Sequence, residues 1–402
     1  MHAASGILQK SLSKAFSKMH KARVQVLLGA VSAFIFGRRL VLMDIARSWP
    51  QAERVGGPLK KIDRLLGNEH LHEEKQAIYA AMGKWLLKGA RPIIVVDWSD
   101  LQGHGLKFLL RAAVPVNGQT MTILEEVYEE REKQKPYIER EFLRRLRAML
   151  PAGVKPIIVT DAGFKRPWFR AVRKLGWDYV GRVRVERTEV HLGVGEPTIC
   201  VGELYERATG KAQRFEYAGL GQQEVLRCDL VLYKKPKCGR IRTTHRGKRS
   251  ESIRSKRAEK GAKEPWLLAT SLPRDEFTAK AIVTIYAKRM QIEKSFRDLK
   301  CVRYGCAFDH SLTRSCARLS VLLLIHALAS FVAWLTGLTL DEREALDKHG
   351  GIFAPRPRRH YSLLRLGWEA LRRGDPSILV SLLYESLRNW PAEAEKIPAY
   401  EL

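Results

Sequence analysis

Hydrophobic positions follow two periods along this chain. Over residues 1–88 apolar side chains recur at helical spacing, as through Val24–Phe36 and Leu40–Ile45. From about residue 91 the period shortens. Ile93–Asp97 is a short apolar run after a proline. Phe108–Val116 and Thr120–Val127 flank Asn117-Gly118 and read as a β-hairpin. A helix over 136–149 leads to a second short run, Ile157–Asp161, and a helix over 166–175 leads to a strand at Tyr179–Val185. From 186 to 272 the helical pattern lapses, and Val225–Tyr233 and Trp266–Thr270 read as short strands. Helical spacing then returns to the C-terminus, with breaks at Pro355, Pro357 and Gly374-Asp375-Pro376.

Two of these runs, RPIIVVD and KPIIVTD, finish on an acid, Asp97 and Asp161. So short and apolar a run reads as a central strand covered on both faces, and each is expected to deliver a carboxylate at the end of a core strand. A third acid, Glu293, lies in the helical stretch IYAKRMQIEKSFRDLK. At about 100° per residue, Tyr286, Arg289, Glu293 and Lys300 of this helix share a stripe about 60° wide. Ile285, Ile292, Phe296 and Leu299 form an adjoining apolar stripe that would lie on a sheet.

Charge narrows the partners. The chain of 402 residues is 45% apolar, which excludes a mainly disordered protein, and its formal charge of +28 calls for a polyanion. Lys234–Lys263 holds 13 Lys and Arg against two Glu, and residues 1–90 hold 15 against six Asp and Glu. In the segment PLKKIDRLLGNEHLH, Lys60, Lys61 and Arg64 stand beside the apolar Leu65-Leu66 face, a candidate helix for DNA contact. The six cysteines form no CxxC pair and are read as free thiols of a reducing compartment. Leu319–Leu340 has no formally charged residue over 22 positions, long enough to cross a bilayer. Its His, Ser and Thr residues favour a buried helix, and no membrane partner is expected. Val24–Phe36 mimics a signal peptide without a clear cleavage site.

Three carboxylates suit hard, oxygen-preferring ions, Mg²⁺ with Mn²⁺ as substitute. Such a set on a basic protein points to metal-dependent phosphodiester chemistry. No phosphate loop or acyl-transfer triad competes, and His104 and His310 stand alone.

The spacing Tyr286-x2-Arg289-x3-Glu293-x6-Lys300 resembles the signature of bacterial cut-and-paste DDE transposases of the insertion sequence 4 family. VVDWSD (95–100), TDAGFKRPWF (160–169) and KEPWLLAT (263–270) resemble the branch represented by the tetracycline-resistance transposon. Many members carry Arg after the second aspartate; here the residue is Ala162. The resemblance implies an α/β fold with a ribonuclease-H-like catalytic core over 89–340, interrupted by a β-rich basic insertion at about 186–272. In that fold the first and fourth strands lie side by side. A helical DNA-binding domain is expected over 1–88, and a helical region for protein–protein contacts over 341–402. Asp97, Asp161 and Glu293 would hold the metals. Tyr286, Arg289 and Lys300 would grip phosphates, and Trp266 would stack on a flipped base.

The implied activity is excision and insertion of an insertion sequence by nicking, hairpin formation, hairpin opening and strand transfer. Double-stranded transposon ends and target DNA would be the partners, within a self-associated paired-end complex in the bacterial cytoplasm at the nucleoid. Two alternatives share many of these features. One is a structure-specific nuclease on the same fold; the other is a transposase-derived DNA-binding protein without catalysis.

Overall fold

The computed structural model describes residues 3–87, 89–103, 105–116, 118–184, 187–193, 196–235, 251–253, 264–340 and 362–374. They fall into two compact units, one of residues from 1–154 and 290–396 and one of residues from 155–289.

The first unit begins with six helices, α1 (Ala3–Ser11), α2 (Ser13–Phe16), α3 (Lys21–Gly37), α4 (Leu42–Arg47), α5 (Gly56–Leu66) and α6 (Glu69–Leu86). The helical reading of this segment holds. Three antiparallel strands follow, β1 (Ile93–Leu101), β2 (Lys107–Val116) and β3 (Gln119–Glu129), in the order β3-β2-β1. Gly118 turns the expected hairpin at φ +94°, a conformation glycine takes without steric cost. Helix α7 (Pro136–Met149) starts with proline in its first turn, where the missing N–H loses no helical bond.

In the second unit β4 (Ile157–Thr160) pairs in parallel with β5 (Asp178–Val183) across α8 (Arg166–Lys174). The sheet continues antiparallel in the order β4-β5-β10-β9-β8-β6-β7. These added strands are β6 (Glu189–His191), β7 (Thr198–Cys200), β8 (Gln213–Leu220), β9 (Leu226–Tyr233) and β10 (Trp266–Thr270). The two short strands expected between 186 and 272 are β9 and β10. The pattern missed β6, β7 and the small helix α9 (Val201–Glu206), all too short for a period to show, and the longer β8, where Arg214 and Glu216 break up the apolar run. Lys234–Lys263 lies almost wholly outside the described residues.

The long signature helix is a correction. The stretch divides into α10 (Ala279–Ala287) and α11 (Met290–Lys300). At the break the Lys288 and Arg289 amides donate three residues back, to Ile285 and Tyr286, tightening the turn at the boundary of the two units. Helix α10 packs on β4, β5 and β9, whereas α11 packs on β1, β2 and β3. Each half packs on its own set of strands, so the reading of the stretch as one unbroken helix does not hold.

The uncharged segment is the interior helix α12 (Cys316–Thr339), with 89% of its most apolar window buried. It packs on α1, α3, α5, α6 and β3, and on α13 (Leu363–Arg373). Its burial shows that length and composition alone do not make a membrane span. Among the described cysteines, Cys200, Cys228, Cys301, Cys306 and Cys316 are free thiols; Cys238 lies outside the described residues.

Candidate active site

In the first unit Asp97 lies within β1, not at its end. The ladder continues past it through Trp98↔Leu110, Ser99↔Leu109 and Asp100↔Phe108. What ends at Asp97 is burial: residues 93–97 are buried and the next three are half-exposed. The apolar run therefore marked the buried part of a longer strand, because β2 extends far enough to pair with the polar remainder. Asp97 itself is only 6% exposed.

Glu293 sits exposed in the first turn of α11, where the helix dipole favours a carboxylate. The helix is fastened to the tip of the β2–β3 hairpin by a face that the sequence had left unassigned. Gln291 Oε1 accepts the Gly118 N–H at 3.1 Å, and Ser295 Oγ accepts the Thr120 N–H at 3.1 Å. Asp298 Oδ2 accepts from Gln119 Nε2 at 3.0 Å. The i, i+4, i+7 spacing of Gln291, Ser295 and Asp298 was the signal for this polar clamp. Near the end of the same helix Lys300 Nζ donates to Ser99 Oγ at 2.7 Å, two residues beyond Asp97. Burial lowers the Lys300 pKa below the ordinary lysine value, while Asp309, Asp100 and Asp97 work to hold its charge against Arg111.

In the second unit Asp161 follows the last residue of β4, a strand buried throughout. Its Oδ1 accepts the Gly163 N–H at 2.8 Å, a local turn that fixes the carboxylate. Beside it opens a cavity of about 370 Å³ lined by Asp161, Ala162, Gly163, Lys165 and Arg184. Tyr286, on α10, is 2% exposed and meets the Trp266 indole edge-on with ring centroids 4.9 Å apart. The Arg289 guanidinium lies 5.9 Å from the Tyr286 ring. Burial raises the Tyr286 pKa, and Asp161 adds to the rise against Arg289 and Arg182, so the phenol remains a proton donor. Trp266 is half-buried, and its ring centroid lies 6.1 Å from that of Tyr233.

The expected residues thus come in two sets. Asp97, Glu293 and Lys300 belong to the first unit, and Asp161, Trp266, Tyr286 and Arg289 to the second. Among the described residues no three His, Cys, Asp or Glu side chains gather in the manner of a metal site. Lys60, Lys61 and Arg64 are exposed on α5 while Ile62, Leu65 and Leu66 are buried, so the cations face outward. His104 lies outside the described residues, and His310 Nδ1 stands 3.2 Å from Arg39 Nη2.

Residues 88–332 match the protein family described as Transposase DDE domain. The chain belongs to this family. It is a DNA transposase by family, and the match spans every carboxylate and signature residue discussed above. No curated protein matched the sequence. Among solved structures, the chain is similar to one entitled "Cryo-EM structure of piggyBac transposase synaptic complex with hairpin DNA (SNHP)". The similarity has 12% identity and a TM-score of 0.42, over 97% of this chain and 83% of that one.

Proposed function

We propose that this transposase excises and inserts an insertion sequence by metal-dependent phosphodiester hydrolysis and strand transfer through a hairpin intermediate. It is assigned to the insertion sequence 4 family, in the branch of the tetracycline-resistance transposon. The observation that carries the reading is the DDE-domain match over a segment whose Asp97, Asp161 and Glu293 each stand on or beside a rigid element. In this reading the fold is ribonuclease-H-like, with β1 and β4 as its first and fourth strands.

The all-carboxylate donor set fits Mg²⁺ or Mn²⁺. Asp97 and Asp161 are held by strand and turn, and Glu293 by a helix clamped to a hairpin. Divalent ions held there would activate the attacking water or 3′-hydroxyl and stabilise the leaving oxygen. The chain's own groups do the rest. Lys300 presents a cation two residues beyond Asp97 on the strand, and Tyr286 presents a phenolic donor beside Asp161 and Arg289. These three, Tyr286, Arg289 and Lys300, are assigned to phosphates at the transposon end. Trp266 offers a flipped base an indole propped by Tyr286 and Tyr233.

The partners are double-stranded DNA at transposon ends and target DNA, met by Lys60, Lys61 and Arg64 of a helical domain over 1–88 and by the basic segment of the insertion. Two molecules act in a paired-end complex, with 341–402 making protein contacts, in the bacterial cytoplasm at the nucleoid.

Purified chain should be incubated with Mg²⁺ and a plasmid carrying the termini that flank its own gene. Nicked, hairpin and released products are expected. Asp97→Asn, Asp161→Asn and Glu293→Gln should each abolish cleavage while end binding survives in a gel shift. Retained cleavage in any one variant removes that residue from the site. Failure of the native chain to join pre-cut ends to a target would mark it as a nuclease.

A further inference from the structure

Across β1, β2 and β3, three charged residues stand in one row. Asp97 lies opposite Arg111, and Arg111 opposite Glu125. Directly opposed residues of antiparallel strands point to the same face. All three are buried, at 6%, 1% and 2% exposure. The Arg111 guanidinium donates from Nε to Glu125 Oε2 at 2.8 Å, and Nη2 stands in ion-pair contact 2.6 Å from the same oxygen. Tyr79 of α6 donates its hydroxyl to the other oxygen of Glu125 at 2.7 Å. Burial, with Glu125 adding to it, drives the Tyr79 pKa far up, so this hydroxyl is a permanent donor.

A buried ion pair is expensive to desolvate and is commonly replaceable by apolar side chains without loss of stability. This pair therefore calls for a reason other than holding the fold together. Its position supplies one. The face of Arg111 rests 5.1 Å from the Phe296 ring of α11, three residues after Glu293. Lys300, one turn further on, lies 6.0 Å from the same ring, and both Arg111 and Asp97 act on its charge. Arg111 thus touches the helix that bears Glu293 while occupying the strand position opposite Asp97. Because Glu125 neutralises it, the guanidinium can brace two acids without adding net charge that would oppose a cation.

We propose that Arg111, locked by Glu125 and Tyr79, is a positioning residue that sets the spacing of Asp97 and Glu293 for a divalent ion. This rests on the reading of Asp97 and Glu293 as metal ligands. The test is binding, not turnover: Mn²⁺ alone titrated into the full-length chain and followed by electron paramagnetic resonance, with thermal unfolding alongside. Arg111→Lys keeps the charge and loses the planar fork. It should weaken Asp97-dependent Mn²⁺ binding by roughly 10–100-fold, the usual effect of removing a group that orients a metal ligand. Adding Arg111→Lys to Asp97→Asn should cause no further loss, whereas general damage to the fold would add to it.

A folded Arg111→Lys protein that binds Mn²⁺ as the native chain does overturns the proposal. If Arg111→Lys does not fold, Tyr79→Phe decides instead, since it deletes a single hydroxyl. Weakening on the order of threefold is then expected, and unchanged binding overturns the proposal. A native chain that binds no Mn²⁺ through Asp97 refutes the metal-site reading itself, and the positioning role falls with it.

Discussion

Replacing Trp266 with alanine separates the steps of the proposed reaction. Nicking an unbent strand needs water, metal ions and carboxylates. Hairpin formation needs the strand folded sharply back, which a base stacked on an indole would hold. Such stacking is worth roughly 1–3 kcal/mol per base. At about 1.4 kcal/mol per decade, the hairpin step should slow by about 5- to 150-fold. The fold should survive, because Trp266 is half-buried and its ring contacts are two edge-on partners, Tyr233 and Tyr286. Aromatic pairs of this kind contribute about 0.5–1.5 kcal/mol each beyond the area they bury, so with the half-buried indole removed the stability loss in a urea titration should be on the order of 2–4 kcal/mol. Trp266→Phe keeps a stacking face and should recover most of the rate. The assay is a denaturing gel time course resolving nicked, hairpin and opened ends. A uniform slowing of every step, or a hairpin step unchanged in Trp266→Ala, would refute the stacking role.

Other outcomes follow from features of charge and packing. Neutralising four cations of Lys234–Lys263 should reduce the slope of log affinity against log salt by roughly 3–4 if all four meet phosphates; a fluorescence-anisotropy salt series that keeps its slope would leave the segment a solvated loop. Lys300→Arg should extend nicking to higher pH, because burial lowers the lysine pKa and its ammonium is lost earlier as pH rises, whereas arginine stays charged. Matching alkaline limbs in the two pH profiles would remove Lys300 from the chemistry. Gly367→Ala would drive a methyl into the carbonyl of Ala333 on α12, and should cost about 1–3 kcal/mol in urea unfolding; full stability would mean that α13 does not pack as described.

Much of the framework was legible because strands and helices bury residues with different periods. The hairpin at Gly118, helix α7 and strand β9 fall within a residue or two of where the pattern put them. Asp97 and Asp161 could be singled out because burial stops just after the one and just before the other, although β1 itself runs on. The break between α10 and α11 left no such mark. Two tightened turns at Lys288 and Arg289 scarcely disturb a 3.6-residue pattern, and neither glycine nor proline announces them.

Arg111 was hidden for a different reason. Counted outward from a two-residue turn at 117–118, an unbroken hairpin would oppose Arg111 to Leu124. A β-bulge between Ala112 and Ala113 shifts the register by one and brings Glu125 opposite. A one-residue slip exchanges the faces of a strand, so the buried ion pair depends on an irregularity that apolar alternation does not reveal.

The interior helix α12 has a consequence during synthesis. A nascent stretch this apolar, exposed to water, invites aggregation or capture by membrane-insertion machinery. Most of the surfaces that cover it, on α1, α3, α5, α6 and β3, lie upstream in the sequence. They have left the ribosome before α12 emerges, so a receiving groove can already be formed. Among the described elements that pack on it, only α13 arrives later. Chain order thus shortens the interval in which this protein's most insoluble segment is unprotected, and a circular permutant that made α12 first would lose that protection.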